Sequence, residues 1–305
     1  MCLWDQLAGL RTTVLRQLLT RPGRPYRDVM RAFSQVDVFS TEPLKGNPVA
    51  VVHDADGLSD AEMQQFAHWT NLSETTFLLA PTDPAADYRL RIFTPGTELP
   101  FAGHPTIGSA HAWLEAGGVP RSDEELLQEC AAGLLRIRRS ERLAFAAPPL
   151  LRDGPVTDEE RATILRALDL TDDDVVDISW GDNGPGWVVV LMRDAEAVLA
   201  VRPDWSTFGD LDIGVVGPYP DGSECAVEVR AFCPSIGVVE DPVTGSLNAS
   251  IGQWLGGDRL PASYVAAQGT VLGRAGRVHV EKIDDIVWVG GDAATTIKGV
   301  VGLGA

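Results

Sequence analysis

The chain contains RIFTP at residues 91–95, followed by ELPFAGHPTIG at residues 98–108, and this stretch has a second version later in the sequence. There, RAFCP at residues 230–234 is followed by GVVEDPVTGS at residues 237–246. Both versions run Arg-x-Phe-x-Pro, a short connection, and then a polar residue before Pro, Thr and Gly. A strand that ends at a proline and resumes with a polar residue before a second proline predicts a helix N-terminus. That second proline is expected at the first helical position.

The two versions place His104 and Asp241 at what we interpret as corresponding points, each directly before its proline. Two helix N-termini that face each other would offer free backbone N–H groups and two positive dipole ends to one anionic ligand. The duplication therefore predicts two lobes with a single site between them.

The composition limits the classes of partner. At 305 residues the chain is long enough for two domains or one large one, and its 45% hydrophobic content is ordinary for a globular protein. Its net charge of −18 argues against nucleic acid and against an anionic membrane surface. We therefore expect no nucleic acid and no membrane as partners, whereas a helix N-terminus can still bind a small anionic substrate locally.

Cysteine and lysine usage restricts the chemistry further. The four cysteines, Cys2, Cys130, Cys225 and Cys233, show no C-x-x-C spacing, and a reduced, cytoplasmic protein is the simplest interpretation. No apolar run approaches the roughly 20 residues that span a bilayer, and the N-terminus lacks the continuous apolar stretch of a secretory signal. Only three lysines are present, so few residues could form a Schiff base.

Residues 1–29 differ from the rest of the chain because they contain five arginines and only two acidic residues. We expect a non-catalytic extension here; a docking helix, an amphipathic targeting segment and translated sequence upstream of the true start all stay open. We place the first lobe at residues 30–147 and the second at residues 148–305, since the Pro148-Pro149 pair marks a connection. The last strand is expected to pack back on the first lobe.

From Met30 onward, strand and helix patterns alternate. Ser59 and Thr157 each begin a capping box, which predicts one helix toward Trp69 and another to about Leu168. A second helix in each lobe is expected at the repeated turn, rich in small residues so that it can pack inside a curved sheet. The predicted strands are Phe33–Phe39, Val49–His53, Thr75–Ala80, Tyr88–Phe93, Leu134–Arg138, Leu143–Ala147, Trp187–Met192, Ala226–Phe232, Arg277–Lys282 and Ile286–Val289.

Glu74 lies in NLSETTF at residues 71–77, where a helix pattern gives way to a strand pattern. A carboxylate at such a junction can lie at the rim of a cleft, partly desolvated, with a raised pKa that suits proton transfer. Taken alone, Glu74 is more ordinarily explained as a capping or solvated glutamate.

The repeated turns contribute further candidates. His104 can act as an acid, a base or a hydrogen-bond donor near neutral pH. Asp241 could equally be an N-cap, and Ser246 could be a small residue required by packing. His111 follows His104 by seven residues, a poor interval for chelation with no third ligand in view, so we expect no metal.

A Glu, a His and an Asp, two of them at repeated turns, together indicate an acid/base site without a cofactor. No G-x-G-x-x-G follows a strand, and no G-x-x-x-x-G-K-[ST] is present, so nucleotide chemistry has no support. The absence of G-x-S-x-G counts against an α/β-hydrolase.

Four ordered motifs are GNPVAV at residues 46–51, SETTF at 73–77, FAGHPT at 101–106 and EDPVTGS at 240–246. Together with QG at 268–269 and GR at 273–274, they resemble the phenazine biosynthesis PhzF-like family. The resemblance covers about residues 30–302, which is nearly the whole chain apart from the extension.

The resemblance implies a diaminopimelate-epimerase-like α+β fold. It has two pseudo-repeated lobes, each a curved sheet around a central helix, with the active site in the interlobe cleft. The resemblance also implies that Glu74 is the catalytic glutamate and that His104 and Asp241 support it, without a cofactor. Ser73, Gly103, Gly245 and Ser246 are then expected to bind the substrate, and a homodimer is expected. One departure is Leu247, where the family often has a small residue, so helix packing or pocket shape is expected to differ.

The expected function is that of a cofactor-independent isomerase acting on a small carboxylate-bearing substrate. The family's characterised reaction is isomerisation of trans-2,3-dihydro-3-hydroxyanthranilate. Two alternatives stay open: an amino-acid epimerase that uses two bases, and a non-catalytic binding module on the same fold. Relatives in the epimerase branch use a cysteine at each of the two turns. Neither turn has one here, which disfavours thiol-based racemisation.

Overall fold

The computed structural model describes residues 29–234 and 237–304. The expected extension at residues 1–29, with its three interpretations, therefore lies outside the described residues apart from Val29. In the described ranges, no helix is long and apolar enough to cross a membrane.

The first half of the described chain has eight strands and two helices. The strands are β1 (Met30–Val38), β2 (Asn47–Val52), β3 (Glu74–Leu79), β4 (Tyr88–Phe93), β5 (Glu98–Leu99), β6 (Glu125–Cys130), β7 (Gly133–Arg139) and β8 (Leu143–Ala146). The helices are α1 (Asp60–Thr70) and α2 (Gly103–Glu115). The capping box predicted at Ser59 is present, and its two reciprocal hydrogen bonds with Glu62 begin α1.

The second half, as far as it is described, has ten strands and three α-helices. The strands are β9 (Arg152–Pro155), β10 (Val175–Asp182), β11 (Trp187–Met192), β12 (Asp212–Pro218), β13 (Val227–Cys233), β14 (Val238–Asp241), β15 (Ser263–Gln268), β16 (Gly276–Ile283), β17 (Ile286–Gly291) and β18 (Ala293–Gly302). The helices are α3 (Asp158–Leu168), α4 (Ala195–Ala200) and α5 (Gly245–Leu255), and the capping box predicted at Thr157 begins α3.

The two halves repeat one strand order. In the first, β1–β2 is antiparallel, β2–β3 parallel, β3–β4 antiparallel and β4–β6 parallel, and β6, β7 and β8 continue as antiparallel neighbours. Strands β10 to β17 repeat the same pairings in the second half. This mixed fold with one large sheet confirms the predicted α+β, diaminopimelate-epimerase-like architecture.

Strand pairs also join the two halves. β8 is antiparallel to β17, and β18 is antiparallel to β1 along its whole length, from Met30 opposite Gly302 to Val38 opposite Ala293. The last strand of the described chain therefore lies on the first half. The exact lobe boundaries at residues 147 and 148 stay a prediction.

Helices α2 and α5 are the central helices of the two halves, and small residues let them lie close to the sheets. Gly108 in α2 faces Val49, and an added Cβ would clash with that valine. Gly252 in α5 is equally restricted, since an added Cβ would lie 2.7 Å from Cγ1 of Val280. Most residues of both helices are buried, as expected for helices that are enclosed rather than amphipathic.

Leu247 of α5, the departure from the family pattern, is fully buried over Gly214 of β12. A Cβ at Gly214 would overlap the Leu247 side chain, so the missing side chain of the glycine makes room for the leucine. A small residue in the strand thus accommodates a large one in the helix.

The register of the repeat differs from the predicted one. β5 pairs Leu99 with Ile92, and β14 pairs Asp241 with Ala231, so Asp241 corresponds to Leu99. Both α2 and α5 begin at the glycine four positions later in this register, which makes Ser246 the counterpart of His104.

The predicted correspondence of His104 and Asp241 was therefore wrong. The segment ELPFAGH at residues 98–104 matches EDPVTGS at residues 240–246. The connection is longer in the second copy, because Glu240 follows Arg230 by ten positions whereas Glu98 follows Arg91 by seven.

Candidate active site

The N-termini of α2 and α5 touch each other. A Cβ added at Gly103 would lie 2.7 Å from Cα of Gly245, and one added at Gly245 would lie 2.9 Å from Cα of Gly103. Neither helix has a side-chain cap, because the N-cap residues Ala102 and Thr244 make no capping hydrogen bond. The first backbone N–H groups of both helices therefore converge at one place, as the duplication predicted, and such groups favour an anion.

The carboxylate of Asp241 accepts hydrogen bonds on both oxygens. Its Oδ1 accepts from Nδ2 of Asn47 at 2.9 Å and from Oγ of Ser73 at 3.0 Å, and its Oδ2 accepts from Oγ1 of Thr244 at 2.6 Å. Asn47 and Ser73 belong to the first half and Thr244 to the second. The Asp241 carboxylate thus joins the two halves through hydrogen bonds.

Asn47 connects three parts of the site through one amide group. Besides Asp241, its Nδ2 donates to the carbonyl oxygen of Val243 at 2.9 Å and lies 3.2 Å from Nδ1 of His104. It is fully buried, and it follows Gly46, whose missing side chain allows the chain to pass close to the carbonyl of Val38.

Glu74 is the first residue of β3, directly after the helix-to-strand junction, as predicted. It is only 7% exposed, and burial raises its pKa well above the ordinary glutamate value, with the negative charge of Asp241 acting in the same direction. Burial also raises the pKa of Asp241, but three hydrogen-bond donors favour the ionised form of that residue. We therefore place the negative charge on Asp241 and the proton on Glu74.

His104 is 2% exposed, and burial lowers its pKa to about 3, with a hydrogen bond to the Pro48 carbonyl opposing the shift only in part. Its Nε2 lies 3.3 Å from Oε2 of Glu74. Since both groups are neutral, this contact is no ion pair. Within residues 29–234 and 237–304 neither facing atom makes a hydrogen bond of acceptable geometry. Buried polar atoms are rarely left in this state, which points to a ligand that forms hydrogen bonds with both groups.

Ser246 is the second residue of α5 and is 4% exposed. Its Oγ accepts a hydrogen bond from Nε1 of Trp187 at 3.0 Å, and its carbonyl oxygen accepts one from Nδ2 of Asn183 at 2.9 Å. The serine hydroxyl therefore lies at the helix N-terminus beside Gly245, where the sequence placed a site for the substrate carboxylate.

Two details of the predicted turns were wrong. Pro105 is the third residue of α2, and Pro242 precedes α5, so neither proline is at the first helical position. Asp241 is not the N-cap of α5 either, since it ends β14 and Thr244 is the N-cap. The glycines Gly103 and Gly245 occupy the first positions instead, because only a residue without a side chain permits the contact between the helices.

The structure brings the predicted residues together. Glu74, Ser73, His104 and Gly103 from the first half lie with Asp241, Gly245 and Ser246 from the second. His111 lies apart, near Thr295 and Glu115. In the part of the chain that the structure describes, no group of three or more His, Cys, Asp or Glu side chains could hold a metal ion. A cavity of about 470 Å³ beside His53 and Trp113 is lined by none of the candidate catalytic residues.

Sequence reasoning gave no role to several residues of this site. Gln268 supports the turn, because its Oε1 accepts from the Thr244 backbone and from Asn248, while its Nε2 donates to the Thr244 hydroxyl. Asn47 and Gln268 occur in the motifs of the family resemblance, but Trp187 and Asn183 occur in none. The only local signal was the run of turn residues Asp-Asn-Gly-Pro-Gly before Trp187.

Comparison with known proteins agrees with this geometry. The family model for phenazine biosynthesis-like proteins, PhzC-PhzF, matches residues 36–299. The chain is 38% identical over 289 residues to Antisense-enhancing sequence 1 of Schizosaccharomyces pombe, a match that covers 88% of this chain and 97% of that protein. It is 37% identical over 226 residues to the trans-2,3-dihydro-3-hydroxyanthranilate isomerase of Pseudomonas fluorescens, covering 71% of this chain and 77% of that one.

Among solved structures, the phenazine biosynthesis protein of the PhzF family from Bacillus anthracis has the same fold. The TM-score is 0.75 at 24% sequence identity, and the match covers 89% of this chain and 99% of that one. The relatives thus confirm the prediction of an isomerase. They do not identify the substrate of this chain.

Proposed function

The chain belongs to the phenazine biosynthesis-like PhzC-PhzF family, and we propose that it is a cofactor-independent isomerase that moves a proton on a small carboxylate-bearing substrate. One observation supports this above the others. The carboxyl of Glu74 and the ring of His104 face each other at 3.3 Å in a buried place, without a hydrogen bond of good geometry between them.

In the proposed reaction, the ionised form of Glu74, which is the minor form because burial raises the pKa of this carboxyl, takes a proton from a carbon that lies next to a double bond. The electron pair of the broken C–H bond moves into the π-system, and the double bond shifts. The Glu74 carboxyl then delivers a proton to a second carbon, so that one C–H bond forms for each one broken, and exchange of the carboxyl proton with D₂O places deuterium at that carbon. A carboxyl with a raised pKa suits both steps, since a group whose pKa lies near the working pH both accepts and donates a proton readily.

The neighbours of Glu74 have supporting roles in this proposal. The fixed charge of Asp241 makes Glu74 a stronger base, because it disfavours a second negative charge nearby. His104 stays neutral and orients the substrate against Glu74. The backbone N–H groups at Gly103 and Gly245, with the hydroxyls of Ser73 and Ser246, would bind the substrate. Burial of the whole group keeps water away from the reacting carbon.

A second candidate function, an epimerase with two bases, is favoured by one observation. Asp212 of β12 has the position that Glu74 has in β3, because Glu74 lies opposite Val49 in β2 and Asp212 lies opposite Trp187 in β11. The thiol route has less support. Cys233 is 1% exposed, and burial raises its pKa well above the ordinary thiol value, so it is a poor base.

Solvent deuterium tests the proposal against both alternatives. The enzyme would be incubated in D₂O with trans-2,3-dihydro-3-hydroxyanthranilate and, separately, with a panel of L-amino acids, and products would be examined by NMR. A shifted double bond in the first substrate supports the isomerase. Inversion of an amino acid, with deuterium at the inverted carbon, would contradict the isomerase and support the epimerase. A binding module would change neither compound.

A homodimer and a cytoplasmic location also stay proposals. For the dimer, light scattering after size exclusion should give a mass near twice 32.7 kDa.

A further inference from the structure

The hydroxyl group of Ser246 has a hydrogen bond of fixed direction. An indole N–H can only donate, so Oγ of Ser246 must be the acceptor in its 3.0 Å bond to Nε1 of Trp187. Both residues are buried, at 2% and 4% exposure, so water does not exchange for either partner. The single hydrogen of the serine hydroxyl then has to point elsewhere.

The backbone around Ser246 leaves that hydrogen unused. The Ser246 carbonyl accepts from Asn183 and from Oγ of Ser250 at 3.2 Å, so these neighbours bind the backbone and not the hydroxyl. Within the described ranges, no acceptor takes the Ser246 hydroxyl hydrogen. The uncapped N-terminus of α5, with the amides of Gly245 and Ser246, lies at the same place.

We infer that Trp187 is a positioning residue that fixes Ser246 as a hydrogen-bond donor and so makes this end of the site selective for a carboxylate. The inference rests on the proposed function and names one part of it. A hydroxyl that accepts from an indole is polarised and donates more strongly. A carboxylate offers only acceptor atoms, whereas a carboxamide also presents N–H groups. Those N–H groups bind poorly here, because Oγ of Ser246 already accepts from the indole and the helix N-terminus offers only further N–H donors.

The pseudo-symmetry of the fold supports the assignment. Trp187 and Val49 are equivalent, since they lie opposite Asp212 and Glu74 in the two parallel strand pairs. The first half therefore has an aliphatic residue, without a donor, at the position equivalent to Trp187. The indole is present only in the half whose turn has the serine.

Acetate and acetamide form the smallest carboxylate and carboxamide pair, so they test the inference without knowledge of the substrate. Affinities would be measured at constant ionic strength from the ¹H–¹⁵N shifts of Gly245 and Ser246 in the full chain. We expect wild type to prefer acetate at least tenfold. Trp187→Phe, which keeps the ring and removes the N–H, should weaken acetate binding about five- to tenfold and change acetamide binding less than twofold.

Two further variants separate positioning from packing. In a Ser246→Ala background, Trp187→Phe should have no further effect on acetate, because the tryptophan acts through the missing hydroxyl. Trp180→Phe is the matched control. It also removes an indole hydrogen bond, here to Glu160 at 3.3 Å, away from the site, and should leave both affinities unchanged.

A third measurement uses the wild-type protein, so it does not depend on whether a substitution in the core disturbs folding. In wild type, the indole N–H proton of Trp187 should move downfield as acetate binds, because Ser246 becomes a better acceptor when its own hydrogen is engaged. Three results overturn the inference: equal weakening of both ligands by Trp187→Phe, an undiminished effect in Ser246→Ala, or no saturable acetate shift in wild type. Loss of the isomerase reaction with the acetate results intact would instead refute only the proposed function.

Discussion

The turn at residues 98–104 and the turn at residues 240–246 share a backbone and differ in nearly every functional side chain. In each, an arginine of the preceding strand binds the first glutamate through two hydrogen bonds, Arg91 with Glu98 and Arg230 with Glu240. Each then runs through a proline to a glycine that begins a buried helix. The second ion pair is buried, whereas in the first the Glu98 side chain is 36% exposed.

The two turns differ at four positions; one of them exchanges the apolar Phe101 for the apolar Val243, and the other three change the chemistry. Where the first turn has Leu99, Ala102 and His104, the second has Asp241, Thr244 and Ser246. The first turn thus contributes a neutral imidazole beside Glu74, and the second contributes a fixed negative charge and a hydroxyl. The repeat has two equivalent helix N-termini, and in the proposed function their different side chains assign proton transfer to one side and charge and anion binding to the other.

The largest effect is expected from Glu74→Gln, which leaves both turns intact and removes only the group that accepts the proton. Turnover should fall by about 10²–10⁴-fold, the usual loss for a general base, while substrate binding survives. Turnover and deuterium incorporation would be measured together. Near-normal turnover in this variant, with an inactive Asp241→Asn, would move the proton carrier to the second turn.

The same variant has a stability signature that serves as its folding control. Because the pKa of Glu74 is raised in the folded state, its contribution is complete below the ordinary glutamate value and is lost as pH rises through the folded pKa. Glu74→Gln should therefore melt higher than wild type at pH 8 and show a smaller advantage at pH 4.

Asp241→Asn should have a smaller effect on rate, on the order of tenfold, since the charge acts through Glu74. Removing that charge lowers the pKa of Glu74, so the rise of kcat/KM with pH should begin at lower pH than in wild type. The pH profile of kcat/KM measures this. Glu228→Gln is the control, because that carboxyl is also fully buried with a raised pKa, but bonds to Tyr219 instead. An unshifted profile in Asp241→Asn would contradict electrostatic coupling.

The sequence was sufficient for the fold class and for most of the site, because those depend on motifs with a local mechanism. Glu74, His104, Asp241 and Ser246 lie together as expected, and ten predicted strands are present. Eight of the described strands had no predicted range; among them, β18 has mostly exposed residues without an apolar pattern, and β5 is only two residues long. The register of the repeat was wrong because the two connections differ in length, which only strand pairing could reveal. Trp187 was missed because its partner Ser246 is distant in sequence.

Gly103→Ala and Gly245→Ala test whether the two turns are mechanically equivalent. Either Cβ would lie within 3 Å of the other helix, so each variant should lose about 1–3 kcal/mol of stability through overpacking. That corresponds to a melting temperature lowered by roughly 2–4 °C per kcal/mol. Gly96→Ala, where an added Cβ meets nothing within 4 Å, should be neutral. Loss in only one of the two variants would show that the helix ends are not in symmetric contact.

The last effect concerns acid stability and is absent near neutral pH; here the two turns should differ because only the first contains a titrating residue at the helix start. The folded pKa of His104 is about 3, below its ordinary 6.5, so the unfolded chain binds the proton more strongly between these values. The stabilising contribution is complete above pH 6.5 and is lost as pH falls toward 3, by at most about 1.4 kcal/mol per pH unit.

In melting curves between pH 4 and 7, His104→Asn should show a shallower acid decline than wild type. Ser246→Ala should keep the wild-type slope. His279→Asn, a half-buried histidine outside the site, should change the slope less than His104→Asn does. Identical slopes in wild type and His104→Asn would mean that the imidazole takes up its proton in the folded protein at the same pH as in the unfolded chain. Below about pH 6.5 His104 would then carry a positive charge beside Glu74, and the neutral, orienting role assigned to the first turn would be wrong.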